Sequence, residues 1–236
     1  MLPQSASRAE LLRRHALSPT APPPIQGFEG IGGRSSLAQC LQLMGAVMSF
    51  SRNSEIFGEN EPADYVYRVV SGSVRTYKIL HDGRRQIVGF YLPGDIFGLE
   101  FADTHTFSAE AIADARVVVA KRSALMACAS RDAAIGRELF ALAGREIRRV
   151  RERALLLIKS AQERLAGFLL EMAERACIGN IVELPMSRQD IADYLGLTIE
   201  TVSRTLTGLE STAAIEVQSG RCIGLRNRSI LNRLNS

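Results

Sequence analysis

Between residues 187 and 209 the apolar positions follow a helical period, break, and resume it. Ile191 and Leu195 are separated by four residues, and beyond Gly196 the residues Val202, Leu206 and Leu209 recur at steps of four and three. Ser187 followed by Asp190 has the spacing of a capping box, Gly196 supplies a turn that Leu197 pins, and Thr198 stands where it caps a second helix. The pattern predicts a helix-turn-helix. On the side of the second helix opposite its apolar face, Glu200 and Arg204 lie one turn apart with Ser203 and Thr207 beside them. An arginine matches guanine O6 and N7 in the DNA major groove, and a glutamate accepts from cytosine N4. The same two residues could also form a solvated ion pair worth only a few tenths of a kcal/mol. The neighbouring segment favours the first reading. Ile215–Leu225 is a short alternating run, a Ser219-Gly220 turn and a second run, which predicts a β-hairpin wing with Arg221 at its tip, suited to a phosphate.

Upstream the period changes twice. Residues 1–35 hold a short amphipathic stretch (Ala9–His15), a Pro22–Pro24 run and several glycines, and are expected to form an extended, partly disordered arm. Residues 36–44 fit a short helix. From 45 to about 120, runs of period two stop at turn signals: Tyr65–Val70 before Ser71-Gly72, Ser73–Leu80 before His81-Asp82-Gly83, and Gln86–Leu92 before Pro93-Gly94-Asp95. Ala109–Ala120 closes the sheet. This spacing predicts an antiparallel barrel or sandwich. A long helix is then expected from Ser130, in which Gly136, Phe140, Ala143, Ile147, Val150, Ala154, Leu157 and Ala161 keep alternating steps of four and three, as in a coiled-coil seam. Arg145, Arg148, Arg149, Arg151 and Arg153 lie between them, suited to solvent or flanking ion pairs. A further helix, Ala161–Cys177, leads through Ile181–Leu184 into the helix-turn-helix. The domains predicted are an arm (1–35), a β-domain (36–129), a self-association helix (130–160) and a winged helix (161–236).

Composition narrows the classes. A chain of 236 residues is long enough for two cores, and no apolar run nears the roughly 18 residues of a membrane span. Without a signal-peptide pattern at Met1, a cytoplasmic protein with no membrane partner is expected. A net charge of +4 names no partner, and 26 of the 29 basic residues are arginine, a bias that a GC-rich genome would also produce. Cys40, Cys128, Cys177 and Cys222 form no C-x-x-C pair and are expected to be reduced thiols. The three histidines, His15, His81 and His105, lie far from any cysteine in sequence, so a zinc site is not expected.

The order of elements resembles the CRP/FNR superfamily of bacterial transcription regulators over roughly residues 40–228. The residues that carry the likeness are Tyr67–Arg75 and Phe90–Gly98, similar to the family's jelly-roll turns, and Arg188–Ala192 with Ile199–Arg204, similar to its DNA-reading signature. The resemblance implies an α+β chain: an N-terminal antiparallel jelly-roll like a cyclic-nucleotide-binding domain, a long dimerisation helix, and a C-terminal winged helix-turn-helix. Its Glu-x-x-Ser-Arg spacing is similar to the FNR and FixK branch. That implies a homodimer on double-stranded DNA, reading TTGAT-like half-sites through Ile199, Glu200, Ser203 and Arg204. Ser187, Arg188, Thr198, Thr201 and Arg221 are expected on phosphate, Phe140, Ala143, Ile147, Val150, Ala154 and Leu157 in the dimer seam, and RNA polymerase as a further partner.

Departures from the family point to no cofactor. Gly98–Glu110 keeps Glu100 and Ser108, but Phe107 stands where cyclic-AMP-binding members carry a phosphate-clasping arginine, and Asp103 and Glu110 would repel an anion. Iron–sulfur members need a group of N-terminal cysteines, where this chain has Cys40 alone. A heme would rest on the lone turn histidine His81. Two alternatives stay open: a regulator gated by an acid such as 2-oxoglutarate through Arg75, Arg84, Arg85 or Arg116, and a cupin-like metalloenzyme using His81 and His105.

Overall fold

The computed structural model describes residues 36–235 apart from 101, 156 and 157. The expected arm, with its Ala9–His15 stretch, lies outside the described residues.

Of the barrel and the sandwich, the chain forms the sandwich. One antiparallel sheet has the order β1 (Ala46–Phe50), β8 (Ala115–Lys121), β3 (Tyr65–Ser71), β6 (Ile96–Phe97). The other has the order β2 (Glu55–Phe57), β7 (Ser108–Ala111), β4 (Val74–Ile79), β5 (Arg85–Tyr91). Alternation along each strand turns one set of side chains inward. Val69, Val117 and Val119 from the first sheet meet Val74, Ala109 and Ala111 from the second, around the packed rings of Phe57, Tyr67 and Phe97. The Ser71-Gly72 turn is not a hairpin: it carries the chain from one sheet to the other. Gly72 has φ +77°, and a Cβ there would fall 2.2 Å from the Asp114 carbonyl oxygen, so only glycine fits. Ala109–Ala120 does not close a single sheet; it divides at Ile112–Asp114 into β7 and β8, one in each sheet.

Three helices pack under the sandwich: α1 (Ser36–Met44), α2 (Arg122–Arg131) and α3 (Ala133–Leu155). Leu37, Leu41, Leu125, Ile135 and Leu142 form their shared core with Val66 and Ala120. The long helix therefore does not run on from Ser130. Asp132 leaves helical geometry (φ −121°, ψ 106°) and its carboxylate accepts the Ala134 amide at 2.8 Å, ending one helix and capping the next. Nor does the seam reach Ala161. α3 ends at Leu155, Leu157 lies outside the described residues, and Ser160 opens α4 (Ala161–Ala176) with a capping box: its hydroxyl accepts the Glu163 amide while the Glu163 carboxylate accepts the Ser160 amide.

The C-terminal part adds β9 (Cys177–Ile178), β10 (Ile181–Glu183), α5 (Arg188–Leu195), α6 (Ile199–Ser211), β11 (Ile215–Val217), β12 (Cys222–Leu225) and α7 (Arg228–Asn235). Its strands form one sheet in the order β11, β12, β10, β9. The predicted wing is the β11–β12 hairpin, with Ile215 opposite Leu225 and Val217 opposite Ile223. The last helix is a feature the sequence reading did not include. It buries Leu231 against α4, close enough that a Cβ at Gly167 would lie 2.6 Å from the Asn235 side-chain oxygen. Among the described residues no helix is long and apolar enough to cross a membrane.

His105 is buried in the sandwich, its ring stacked on Phe57 at 3.6 Å between centroids, with Nδ1 3.7 Å from a Glu100 carboxylate oxygen. Burial lowers its pKa below the ordinary histidine value, outweighing the upward pull of Glu100. The unfolded chain then binds a proton near pH 6.5 that the folded chain refuses, so stability is complete above that pH and falls as pH drops below it. Urea midpoints of the native protein should decline from pH 7.5 to 5.5, with His105 contributing up to about 1.4 kcal/mol per pH unit below 6.5. His105→Phe, which keeps the stacking ring, should lessen that decline; an equally steep decline in the variant would assign it elsewhere.

Candidate nucleic-acid interface

The helix-turn-helix is built from local capping. Ser187 accepts the Asp190 amide at 3.1 Å and the Asp190 carboxylate accepts the Ser187 amide at 3.0 Å, starting α5. Gly196 ends it in the left-handed region (φ 64°, ψ 42°). Thr198 then caps α6, accepting the Thr201 amide at 3.2 Å. Val202, Leu206 and Leu209 are buried on one side of α6, as their spacing predicts, against Ile191, Ala192 and Leu195 of α5. The opposite side faces solvent. Ile199 is 38% exposed, and Glu200, Arg204 and Thr207 are exposed beside a half-buried Ser203.

No ion pair joins Glu200 to Arg204 among the described residues, and the Arg204 guanidinium makes no hydrogen bond there. At the helix start, its own amide and the Thr198 hydroxyl hold the Glu200 carboxyl below the usual carboxylate range, with Arg204 a lesser influence. The face thus presents an anion and a planar cation one turn apart, both exposed. Arg188 donates to the Ser203 hydroxyl at 3.4 Å, bracing α5 against α6. Ser187, Thr198 and Thr201 spend hydroxyl contacts on capping, so phosphate would share them with the backbone they already hold. Arg221 is exposed at the wing tip and lines the same cleft as Ser187, Gln189 and Arg52 of the β1–β2 turn. That cleft gives the N-terminus of α5 a cationic flank.

A second exposed apolar surface is one side of α3. Ile135 and Leu142 face the β-domain. Phe140, Ile147 and Val150 are 83%, 55% and 65% exposed, with Ala154 exposed and Ala143 half-buried between them. Arg153 leaves the flanking role expected of it. It donates to the β5 carbonyls of Ile87 and Val88 and lies over the Tyr194 ring, 4.3 Å from the centroid.

Two family models match: a Crp-like helix-turn-helix domain over residues 163–234 and a cyclic nucleotide-binding domain over 47–132. The chain is 51% identical over 205 residues to the nitrogen fixation regulation protein FixK of Azorhizobium caulinodans, covering 84% of this chain and 83% of that one. It is 40% identical over 189 residues to FixK of Rhizobium meliloti, covering 80% and 86%. The solved structure of FixK2 from Bradyrhizobium japonicum superposes with a TM-score of 0.79 at 48% identity, over 82% of this chain and 98% of that chain. The chain belongs to the CRP/FNR family of transcription regulators.

As a CRP/FNR regulator it is a DNA-binding protein of FixK type and not an enzyme, which removes the metalloenzyme alternative. The two histidines of that alternative sit in unlike places, His81 exposed on the β4–β5 turn and His105 stacked inside the sandwich. The stretch where family members hold a cyclic phosphate is occupied by intrachain contacts. Ser108 accepts the Glu59 amide at 3.0 Å, Glu110 pairs with Arg75 at 3.0 Å, and Phe107 is half-buried.

What the sequence reading of the DNA-binding head missed is how this CRP/FNR regulator holds it. Asp190 Oδ2 takes the capping contacts of Ser187, and Oδ1 accepts Arg75 at 2.9 Å and Arg85 at 2.7 Å, both from the β-domain. Arg85 also reaches Asp193, and Gln86 donates to the Asp193 carbonyl at 2.7 Å. Tyr194 packs between Phe90 and Phe168; burial pushes its hydroxyl up to about 12, so it stays protonated and donates to Glu171 at 3.3 Å. Spacing could not reveal a pair 115 residues apart. A polar residue at an otherwise inward-facing position of α5 was the available signal.

Asp190 and Arg75 are both more than nine-tenths buried, so removing one strands the other's charge. Asp190→Asn should lower unfolding free energy in urea by about 3 kcal/mol. Arg226→Ala, which breaks the exposed pair with Glu216, should cost under about 1 kcal/mol. Equal losses in the two variants would show that the junction is not the buried charge lock described.

Proposed function

We propose that this regulator is a cytoplasmic homodimer that activates transcription from a palindromic TTGAT-N4-ATCAA-like box without cyclic nucleotide, iron–sulfur cluster or other cofactor. The carrying observation is the solvent face of α6, where Arg204 makes no hydrogen bond or ion pair among the described residues and the exposed Glu200 stands one turn away. In this reading Arg204 takes the guanine and Glu200 a cytosine amine, with Ser203 beside them; Ile199 touches a thymine methyl. Arg188, Arg221 and the capping hydroxyls of Ser187, Thr198 and Thr201 set register on phosphate. A two-fold axis along α3, with Phe140, Ala143, Ile147, Val150 and Ala154 against their copies, would put two reading helices about 34 Å apart. Leu157 belongs to the proposed seam by sequence.

Ligand independence rests on side-chain commitments. An acidic effector needs several converging free arginines, but Arg75 and Arg85 are answered by Asp190, Glu110 and Asp193, Arg84 by Asp82, and Arg116 lies exposed on β8 in the other sheet. The FixK relatives are named for control of nitrogen fixation, and a role of that class, with RNA polymerase as the further partner, is proposed here.

On a labelled symmetric box, Arg204→Ala should weaken binding by about 1–3 kcal/mol per half-site and lose discrimination at the guanine alone. Unchanged affinity and base preference would refute the assignment. Phe140→Glu with Ile147→Glu should shift the protein from dimer to monomer in sedimentation while circular dichroism stays native. A dimer persisting in that double variant would place self-association elsewhere.

A further inference from the structure

Cys40 and Cys128 lie 88 residues apart in sequence, yet their sulfurs are 2.7 Å from one another, with the Cys40 thiol donating to Cys128. Both are free thiols, Cys40 buried on α1 and Cys128 half-buried on α2. We infer that they form a built pair, a modification site at which a peroxide oxidises the two thiols to an intramolecular disulfide that staples α1 to α2.

Three observations support this. First, the sulfurs already sit inside ordinary van der Waals contact, and a disulfide bond of about 2.05 Å needs only a small side-chain rotation from there. Second, Cys40 is buried in one cluster with Leu37, Leu41 and Leu125 and Cys128 packs against that cluster, so Cys40 meets Cys128 more readily than any thiol from outside. Third, the two sulfurs are unequal. Burial raises Cys40 to a pKa of about 11, with the contact to Cys128 adding to the effect, so Cys40 keeps its proton at neutral pH while Cys128 is the one open to solvent. The order of events follows. The Cys128 thiolate attacks a peroxide oxygen, the O–O bond breaks, and hydroxide leaves Cys128 as a sulfenic acid. Cys40 sulfur then attacks Cys128 sulfur; the S–S bond forms, the S–O bond breaks, and water leaves carrying the Cys40 proton. Two thiols and one hydrogen peroxide become one disulfide and two waters.

The place in the fold gives the bond a consequence. Ile135 and Leu142 of α3 belong to the same apolar cluster as Cys40, so the staple fixes the corner from which α3 departs. Cys177 and Cys222 serve as internal controls. Both are half-buried, and neither has a second cysteine sulfur in contact among the described residues, the Cys177 thiol donating to the Gly179 carbonyl at 3.0 Å.

The full chain, reduced and then treated with equimolar hydrogen peroxide, should lose two alkylatable thiols. A Cys40–Cys128 linked peptide should appear in the mass spectrum without reductant and vanish with dithiothreitol. The urea midpoint should rise on oxidation and return on reduction. In Cys128→Ser, Cys40 should remain alkylatable after the same treatment; in Cys40→Ala, Cys128 should stop at a dimedone-trappable sulfenic acid with one equivalent of peroxide and reach sulfinic acid with two, for lack of its partner. Consumption of Cys177 or Cys222 while Cys40 and Cys128 stay free would overturn the inference. So would a Cys40–Cys128 link joining two chains, or a midpoint that falls on oxidation.

Discussion

One carboxylate ties the two halves of this protein together. Asp190 uses one oxygen to begin the helix-turn-helix and the other to hold two arginines of the β-domain. Removing an aspartate and an arginine from water costs several kcal/mol per ion, and only near-complete pairing repays it. Glu110 behind Arg75 and Asp193 beside Arg85 supply that pairing. Replacing the whole cluster with hydrocarbon could be as stable, so its contribution is best understood as orientation. An apolar contact tolerates sliding, whereas these carboxylates and guanidinia meet in one docking only. The aromatic layer of Phe90, Phe168 and Tyr194 supplies adhesion; the charges supply the angle.

That fixed docking changes what the β-domain can do. In the described residues the β-domain is the platform on which α5 stands, and α5 in turn braces α6 through Arg188 and Ser203. The path from sandwich to reading face is short: β4 and β5 to Asp190, Asp190 to the first turn of α5, Arg188 to Ser203. The links are hydrogen bonds among these side chains and the Ser187 and Asp190 amides, so the solvent face of α6 is tied to the sheet beneath it. Any influence that loosens α3 acts on the same junction, because Arg153 of α3 holds the β5 carbonyls and covers Tyr194.

Legibility followed the range of the interaction. The helix-turn-helix was readable because its caps, turn glycine and apolar period all lie within 23 consecutive residues, and its wing because a hairpin announces itself by alternation and a turn. The sandwich was readable as strands but not as sheets: Ser71-Gly72 looks like any hairpin turn, and only the crowding of Gly72 against Asp114 reveals a crossing between layers. The break before α3 was hidden for another reason. Apolar steps of four and three run from Gly136 to Ala161, in phase across Ser160, so a count of hydrophobic positions sees one helix there, and nothing in that count places its start after Asp132. The capping residues Asp132 and Ser160-x-x-Glu163 mark the true ends. Polar residues at element boundaries carried information that the apolar pattern overrode.

The same imbalance explains why Asp190 was half understood. Its role toward Ser187 is written three residues away, while its role toward Arg75 and Arg85 exists only once two domains have folded and met. A carboxylate needs no second partner to cap an exposed helix, yet here it is 97% buried by the rest of the chain, being only 3% exposed. Burial of that degree is tolerable only with countercharge on hand, and the one strand pair able to deliver it carries arginines at 75 and 85. The winged helix therefore cannot be understood as a freely tethered module. Its first helix is completed by the β-domain, and the surface offered to DNA is set as much by strands β4 and β5 as by the motif itself.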